Sequence, residues 1–337
     1  MKKIPRTLNH LASSNKGTAL AALAATALAA TATWVAKKAR DAERYHAPKG
    51  TFVDVDSVRL HYIERGSGAP VVLIHGNVVS AEDFVVSSLI DRLAQRYRVI
   101  AFDRPGFGHS ERPRDRLWTA EAQAALFQKA LSALGIERPI VLGHSWGTLV
   151  ALALALRDDA DVRQLVLVSG YYYPTMRLDV AIAAPPAIPV VGDVMRYTVS
   201  AVTARLLIQR TVKAMFAPQP VPPDFLSTLS REMLVRPGQI RANAEDAAFM
   251  IPAAAALRKR YAGLSVPTVI FAGEADKIVK PDDNARKLHA ELENSVLHVI
   301  PDVGHMLHHA VPAEVVAGFV SDERKEARSA PETESAT

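Results

Sequence analysis

Cysteine is absent from this 337-residue chain. Its absence excludes disulfides, a thiol nucleophile and a thiolate metal site, and it removes the lipid-modified cysteine as a means of membrane attachment. Aromatic residues are sparse at 6%, and the apolar fraction of 49% leans on alanine. No His-Glu-x-x-His pattern occurs and no internal repeat is visible. His305, His308 and His309 stand at helical spacing, but with neither thiols nor that motif nothing supports metal catalysis, and no metal or other cofactor is expected.

A basic catalytic body is also missing, despite a formal net charge of +5. Residues 1–50 hold nine Lys/Arg against Asp41 and Glu43, a net of +7, so the remaining 287 residues sum to −2. A basic face for nucleic acid is therefore unsupported, and no nucleic-acid partner is expected. The same segment carries an uncharged run, ALAALAATALAATATWVA, at residues 19–36 between lysines and arginines. As a helix it would span roughly 27 Å, near the ~30 Å hydrocarbon thickness of a bilayer. Three readings stand: a membrane anchor, a secretory signal cleaved at one of the Ala-x-Ala sites near 27–32 (leaving a periplasmic or secreted enzyme), and a peripheral Ala-rich helix. Trp34-Val35 extend the apolar run and Lys37-Lys38 close it, which favours the anchor.

Gly143-His144-Ser145-Trp146-Gly147 is the most informative stretch. Pro139–Leu142 before it suits a buried strand, and Thr148–Leu156 after it suits a helix. A Gly-x-Ser-x-Gly at such a junction is a nucleophile elbow, a turn tight enough to demand small flanking residues. Serine then sits at a helix N-terminus, where backbone N–H groups favour developing negative charge. Val71–Asn77 forms an apolar strand running into a His-Gly turn, and Arg98–Ser110 a strand followed by a Gly/Pro-rich loop. In the stretches Val269–Asp276 and Val299–His305, Asp276 and His305 each come just after an expected strand.

With these motifs in this order, the sequence resembles the α/β-hydrolase family over residues 51–320. The resemblance implies a mostly parallel central sheet with helices on both faces and a helical cap inserted after the sixth strand. A serine hydroxyl needs a base, which is best a histidine, and a carboxylate must fix the imidazole tautomer. In this fold the order is serine, acid, histidine, which Ser145, Asp276 and His305 satisfy. Trp146, following the nucleophile, is expected to donate one oxyanion-hole N–H. The resemblance implies Asn77 as the other donor. Asp282 and Asp283 follow Pro281 and suit a helix start, while Asp302 suits a turn. His75, His144, Asp103 and Arg104 are read as supports for their loops.

The chain divides into a basic segment (1–18), an apolar anchor or signal helix (19–36), a linker (37–50), a first hydrolase part (51–170), a helical cap (171–262), a second hydrolase part (263–321) and a disordered tail (322–337). Residues 52–55 and 58–63 alternate as a hairpin around Asp56-Ser57. Strands are expected near 71–75, 98–102, 139–143, 164–169, 267–272 and 295–300. Helices are expected near 82–95, 119–134, 147–157, 281–292 and 312–321. Tyr171 and Tyr172 either bind substrate or pack the cap on the core. The cap's aliphatic content suggests an apolar ester as the small-molecule substrate. The Asn77/Trp146 pair is similar to that of haloalkane dehalogenases, but those use an aspartate nucleophile, and Ser145 suits acyl transfer instead. The favoured activity is a carboxylesterase or lipase-like serine hydrolase forming an acyl-enzyme. A carbon–carbon bond hydrolase or cofactor-free perhydrolase with the same triad is the alternative, and a non-catalytic membrane-tethered binding protein the lesser one.

Overall fold

Eight strands form one sheet in the order β1-β2-β4-β3-β5-β6-β7-β8. They are β1 (Thr51–Val55), β2 (Val58–Arg65), β3 (Ala69–Ile74), β4 (Tyr97–Phe102), β5 (Ile140–His144), β6 (Gln164–Val168), β7 (Thr268–Gly273) and β8 (Ser295–Ile300). The structure, a computed structural model, describes residues 7–175 and 178–319. β1 and β2 are the antiparallel hairpin expected around Asp56-Ser57, and β2 pairs antiparallel with β4. From β4 through β8 every pairing is parallel. Alternate residues of the central strands feed two separate cores: Val72, Ile74 and Val141 enter one, and Val71, Leu73 and Leu142 the other. Burial on both faces explains why these strands read as continuous apolar runs.

The crossover helices Ala120–Ala133 and Gly147–Ala155 lie where the sequence places them. Thr119 caps the first, its hydroxyl accepting from the Ala122 N–H. The single helix expected over 82–95 is instead two short ones, Glu82–Val86 and Leu89–Leu93, separated by Ser88 at φ +59°. Two β-branched valines followed by two serines give that junction little helical preference. Residues 281–292 resolve into a tight turn, Pro281–Asp283, and a helix, Ala285–Glu291. The last expected helix is Pro312–Ala317.

Between β6 and β7 the cap contributes the longer helices Val191–Tyr197, Val199–Phe216 and Pro237–Arg258 together with shorter turns. It has its own core of Ile208, Val212, Phe216, Phe225 and Leu234. The cap helices begin at Leu178. Tyr171–Tyr173, counted with the cap from sequence, belong to the main core beside Trp146 and Leu149.

The expected linker at 37–50 is corrected. One helix runs unbroken from Thr7 to Tyr45, so only residues 46–50 connect it to β1. Lys37–Tyr45 are mostly good helix formers, and no proline intervenes before Pro48. The tail read as disordered, 322–337, lies outside the described residues.

Candidate active site

Ser145 sits between β5 and its helix with φ +52°, in the left-handed region. Such a backbone costs of order 1–3 kcal/mol in a non-glycine residue and persists only where its surroundings enforce it. Here the flanking glycines do so. A Cβ on Gly147 would lie 2.3 Å from the Ile74 carbonyl oxygen, and one on Gly143 would lie 2.7 Å from that of Gly147. The Ser145 N–H donates to the Val168 carbonyl (2.9 Å), tying the elbow to the end of β6.

The loops after β7 and β8 bring the other two groups to this serine. The Ser145 hydroxyl donates to His305 Nε2 at 2.9 Å, and His305 Nδ1–H donates to Asp276 Oδ2 at 2.8 Å. The second Asp276 oxygen accepts from the Ile278 and Val279 N–H groups at 2.8 and 2.9 Å. Asp276 is thus buried yet has both oxygens occupied. His144 Nε2–H donates to the His305 carbonyl at 3.2 Å, fixing the His305 backbone. Burial, with His308 and His305 nearby, holds the His144 imidazole well below its ordinary range.

Asn77 lies on the turn that faces Ser145, for a Cβ on the preceding Gly76 would approach Ser145 Cβ to 3.0 Å. The turn is held by Arg104, which is fully buried. Its guanidinium donates to the carbonyls of His75 (2.8 Å) and Gly76 (3.0 Å) and to Asn77 Oδ1 (2.7 Å). It is also sandwiched between the rings of Phe107 and Trp146, 4.3 and 4.5 Å from their centres. His75 completes the clamp by donating from Nδ1 to the Gly76 carbonyl and accepting the Arg104 N–H at Nε2. Burial and the adjacent Arg104 push its pKa down to about 3. Trp146 starts the helix Gly147–Ala155, so its N–H lies at the positive end of that helix dipole.

The long cap helix Pro237–Arg258 reaches down to the same turn. Asp246 pairs with Arg104 and Arg112, and its carbonyl accepts from Trp146 Nε1 at 2.9 Å. Asn243 Oδ1 accepts from the Val78 N–H and Gln239 Nε2 donates to the Val78 carbonyl, both at 2.8 Å. Val78 follows Asn77 and has φ +73°, a strained geometry for a β-branched residue. Sequence reasoning missed these three cap residues. Their signal was available: Gln239, Asn243 and Asp246 recur at helical spacing, the polar stripe of an Ala-rich helix.

Tyr171 and Tyr172 are both buried. The Tyr171 hydroxyl accepts from the Thr175 N–H at 2.7 Å, within its own turn. Asn284 Oδ1 accepts the Tyr172 N–H at 2.9 Å, and burial raises the Tyr172 phenol well above its ordinary pKa. These surroundings favour the packing role over substrate contact. His308 and His309 turn away from His305 and donate to the two oxygens of the buried Asp83, each at 2.8 Å. Burial alone would raise the Asp83 pKa, but the facing imidazoles hold it well below the usual carboxylate range. Asp103 accepts from His61 (2.7 Å) and from the N–H groups of Ala81 and His109 (both 2.8 Å), a loop-fastening role.

Comparison with known proteins bears on the fold and the family. Haloalkane dehalogenase 2 of Mycobacterium tuberculosis is 25% identical over 271 residues, covering 78% of this chain and 90% of the relative. 2-Hydroxymuconate semialdehyde hydrolase of Pseudomonas putida is 30% identical over 279 residues, covering 78% and 91%. A solved α/β-hydrolase-fold protein of Burkholderia ambifaria superposes with a TM-score of 0.67 at 26% identity, covering 79% of this chain and 95% of that one. The pattern of the alpha/beta hydrolase fold family matches residues 69–310, and the chain belongs to that family of enzymes.

Proposed function

We propose that this hydrolase cleaves a carboxylic ester through an acyl-enzyme on Ser145. The observation that carries the reading is the continuous chain of hydrogen bonds from Ser145 Oγ through His305 to Asp276. As Ser145 Oγ attacks the ester carbonyl, His305 Nε2 takes its proton and Asp276 stabilises the resulting imidazolium. The tetrahedral oxyanion is received by the N–H groups of Trp146 and Asn77. His305 then returns its proton to the departing alkoxide. Water activated by the same histidine hydrolyses the acyl-enzyme, releasing the acid and regenerating the serine.

A second reading is carbon–carbon bond hydrolysis with the same triad. It is supported by the 30% identity to a 2-hydroxymuconate semialdehyde hydrolase. Esters, diketone-type carbon–carbon cleavage substrates and haloalkanes assayed side by side separate the readings. Turnover of p-nitrophenyl esters that Ser145→Ala abolishes is expected. Diketone cleavage without ester turnover would replace the first reading with the second.

The helix Thr7–Tyr45 serves as a membrane anchor in this proposal. Within residues 17–45 an 18-residue stretch is apolar enough to cross a bilayer, and nearly all of that stretch is exposed. The hydroxyls of Thr26, Thr31 and Thr33 donate to carbonyls four residues earlier at 2.8–2.9 Å, which satisfies them without water. The intact mass of the membrane-extracted protein distinguishes an anchor from a cleaved signal.

A further inference from the structure

The cap carries an unusual surface for a domain that packs well elsewhere. Ile182, Val190 and Leu206 are 80%, 74% and 74% exposed, and Ile188, Val191, Val194 and Val199 are also largely open. On the helix Val199–Phe216, the exposed Val199, Val202 and Leu206 share one face, while Ala201, Arg205 and Ile208 point inward. Contiguous apolar surface of this kind marks an interaction site rather than ordinary scatter.

Its position identifies the occupant. The N-terminal helix packs against Val191–Tyr197, Arg231–Leu234 and Pro237–Arg258. Val35 is buried against Ala201 and Ile240, and the Arg205 guanidinium lies 5.2 Å from the centre of the Trp34 ring. Trp34 and Val35 are the last residues of the apolar run, and Lys37, Lys38 and Arg40 follow at once. Tryptophan followed by lysines is the signature of a membrane–water boundary. The apolar face of the cap therefore flanks the point where the helix would leave the bilayer. Val202 and Leu206 flank Arg205 in sequence on the helix whose Arg205 guanidinium meets the Trp34 ring.

We propose that the exposed apolar face of the cap, centred on Val190, Val199 and Leu206, is a second membrane contact that seats the cap in the headgroup–acyl boundary of the bilayer carrying the N-terminal helix. The proposal rests on the reading of that helix as an anchor. Aliphatic side chains on one face of an interfacial helix gain by burial in that zone, as in peripheral amphipathic helices. Arg210 and Lys213, farther along the same helix, would mark where this face rises back into water.

The absence of cysteine allows a direct test with the full-length protein. Single variants Leu206→Cys, Val190→Cys, Leu23→Cys and Val296→Cys are labelled with an environment-sensitive fluorophore. They are reconstituted in vesicles of mixed phosphatidylethanolamine and phosphatidylglycerol. Val296 is exposed on β8, within the hydrolase body, and serves as the aqueous reference. Labels at 190 and 206 are expected to be quenched by nitroxide-bearing lipids, to shift to the blue and to resist iodide, while the label at 296 remains open to iodide. Free iodide access at 190 and 206 would overturn the proposal. So would protection from iodide without nitroxide quenching, because a second copy of the chain would then cover the face. The label at Leu23 reports the anchor separately. Lipid quenching at 23 with none at 190 or 206 defeats the docking face and leaves the anchor; lipid quenching at 190 and 206 with none at 23 defeats the anchor and, with it, the face as a second contact beside a membrane-crossing helix.

Discussion

Arg104 and Asp246, 142 residues apart in sequence, form an ion pair in which neither side chain is exposed to solvent. One residue follows the strand beside the Gly76–Asn77 turn and the other belongs to the cap, so this contact joins the two parts of the enzyme close to the proposed active site. Removing one partner leaves a buried charge unpaired, which costs about 3–5 kcal/mol. Asp246→Ala is therefore expected to lower the urea-unfolding free energy by that amount and to weaken catalysis as well. An Asp246→Ala enzyme of unaltered stability would show that the pair contributes nothing.

The proposed triad makes the sharpest kinetic prediction. Ser145→Ala is expected to abolish ester turnover with no change in circular dichroism. Asp276→Asn is expected to lower kcat by roughly four orders of magnitude, the effect of leaving the histidine in the wrong tautomer. Single-turnover assays on p-nitrophenyl acetate check both. Wild-type rates in the asparagine variant would assign the acid to another carboxylate.

Asn243 and Gln239 hold Val78 in its strained geometry, and Val78 follows the proposed oxyanion donor Asn77. Asn243→Ala is expected to reduce kcat by roughly tenfold to a hundredfold with little change in KM. Loss of alignment at an oxyanion donor weakens binding of the transition state more than of the substrate. A change confined to KM would place Asn243 in substrate binding instead.

Stability is expected to fall with acidification earlier than carboxylate titration alone would cause. Burial holds His75 down to about 3 and His109 down to about 4, and it lowers His144 and His308 as well. In the unfolded chain each takes up its proton near pH 6.5. Below that pH the unfolded state binds more protons, so the stability from these neutral imidazoles is complete above about 6.5 and is lost as pH falls toward their folded values. Each such histidine contributes a slope of up to about 1.4 kcal/mol per pH unit. Urea midpoints measured from about pH 7.5 down to about pH 4.5 should fall continuously; a flat profile would contradict the neutral, buried imidazoles.

Much of this was legible in the sequence, for identifiable reasons. Strands buried on both faces write themselves as apolar runs, so β3 to β7 fell within a residue or two of their expected places. The elbow was legible because only glycine fits at positions 143 and 147, where a Cβ would meet backbone. The break at Ser88 was not, since a left-handed serine between two short helices leaves no periodicity to read. Nor was the grip of the cap on the turn at Gly76–Val78. Pairings such as Arg104 with Asp246 depend on how the cap folds back, and separation along the chain conceals them. Lys37–Tyr45 continue a helix that apolar residues began, because charged side chains end an apolar run without ending helical preference.

That helix contains neither glycine nor proline from Thr18 to Tyr45. Its C-terminal end is fastened by the ion pair of Glu43 with Arg236 (3.4 Å) and by the contacts of His46 and Lys49 with Glu82 (2.7 and 2.8 Å). With the proposed anchor at its far end, a stiff shaft clamped at its base would hold the hydrolase body at one attitude, its reach set by the length of a rod.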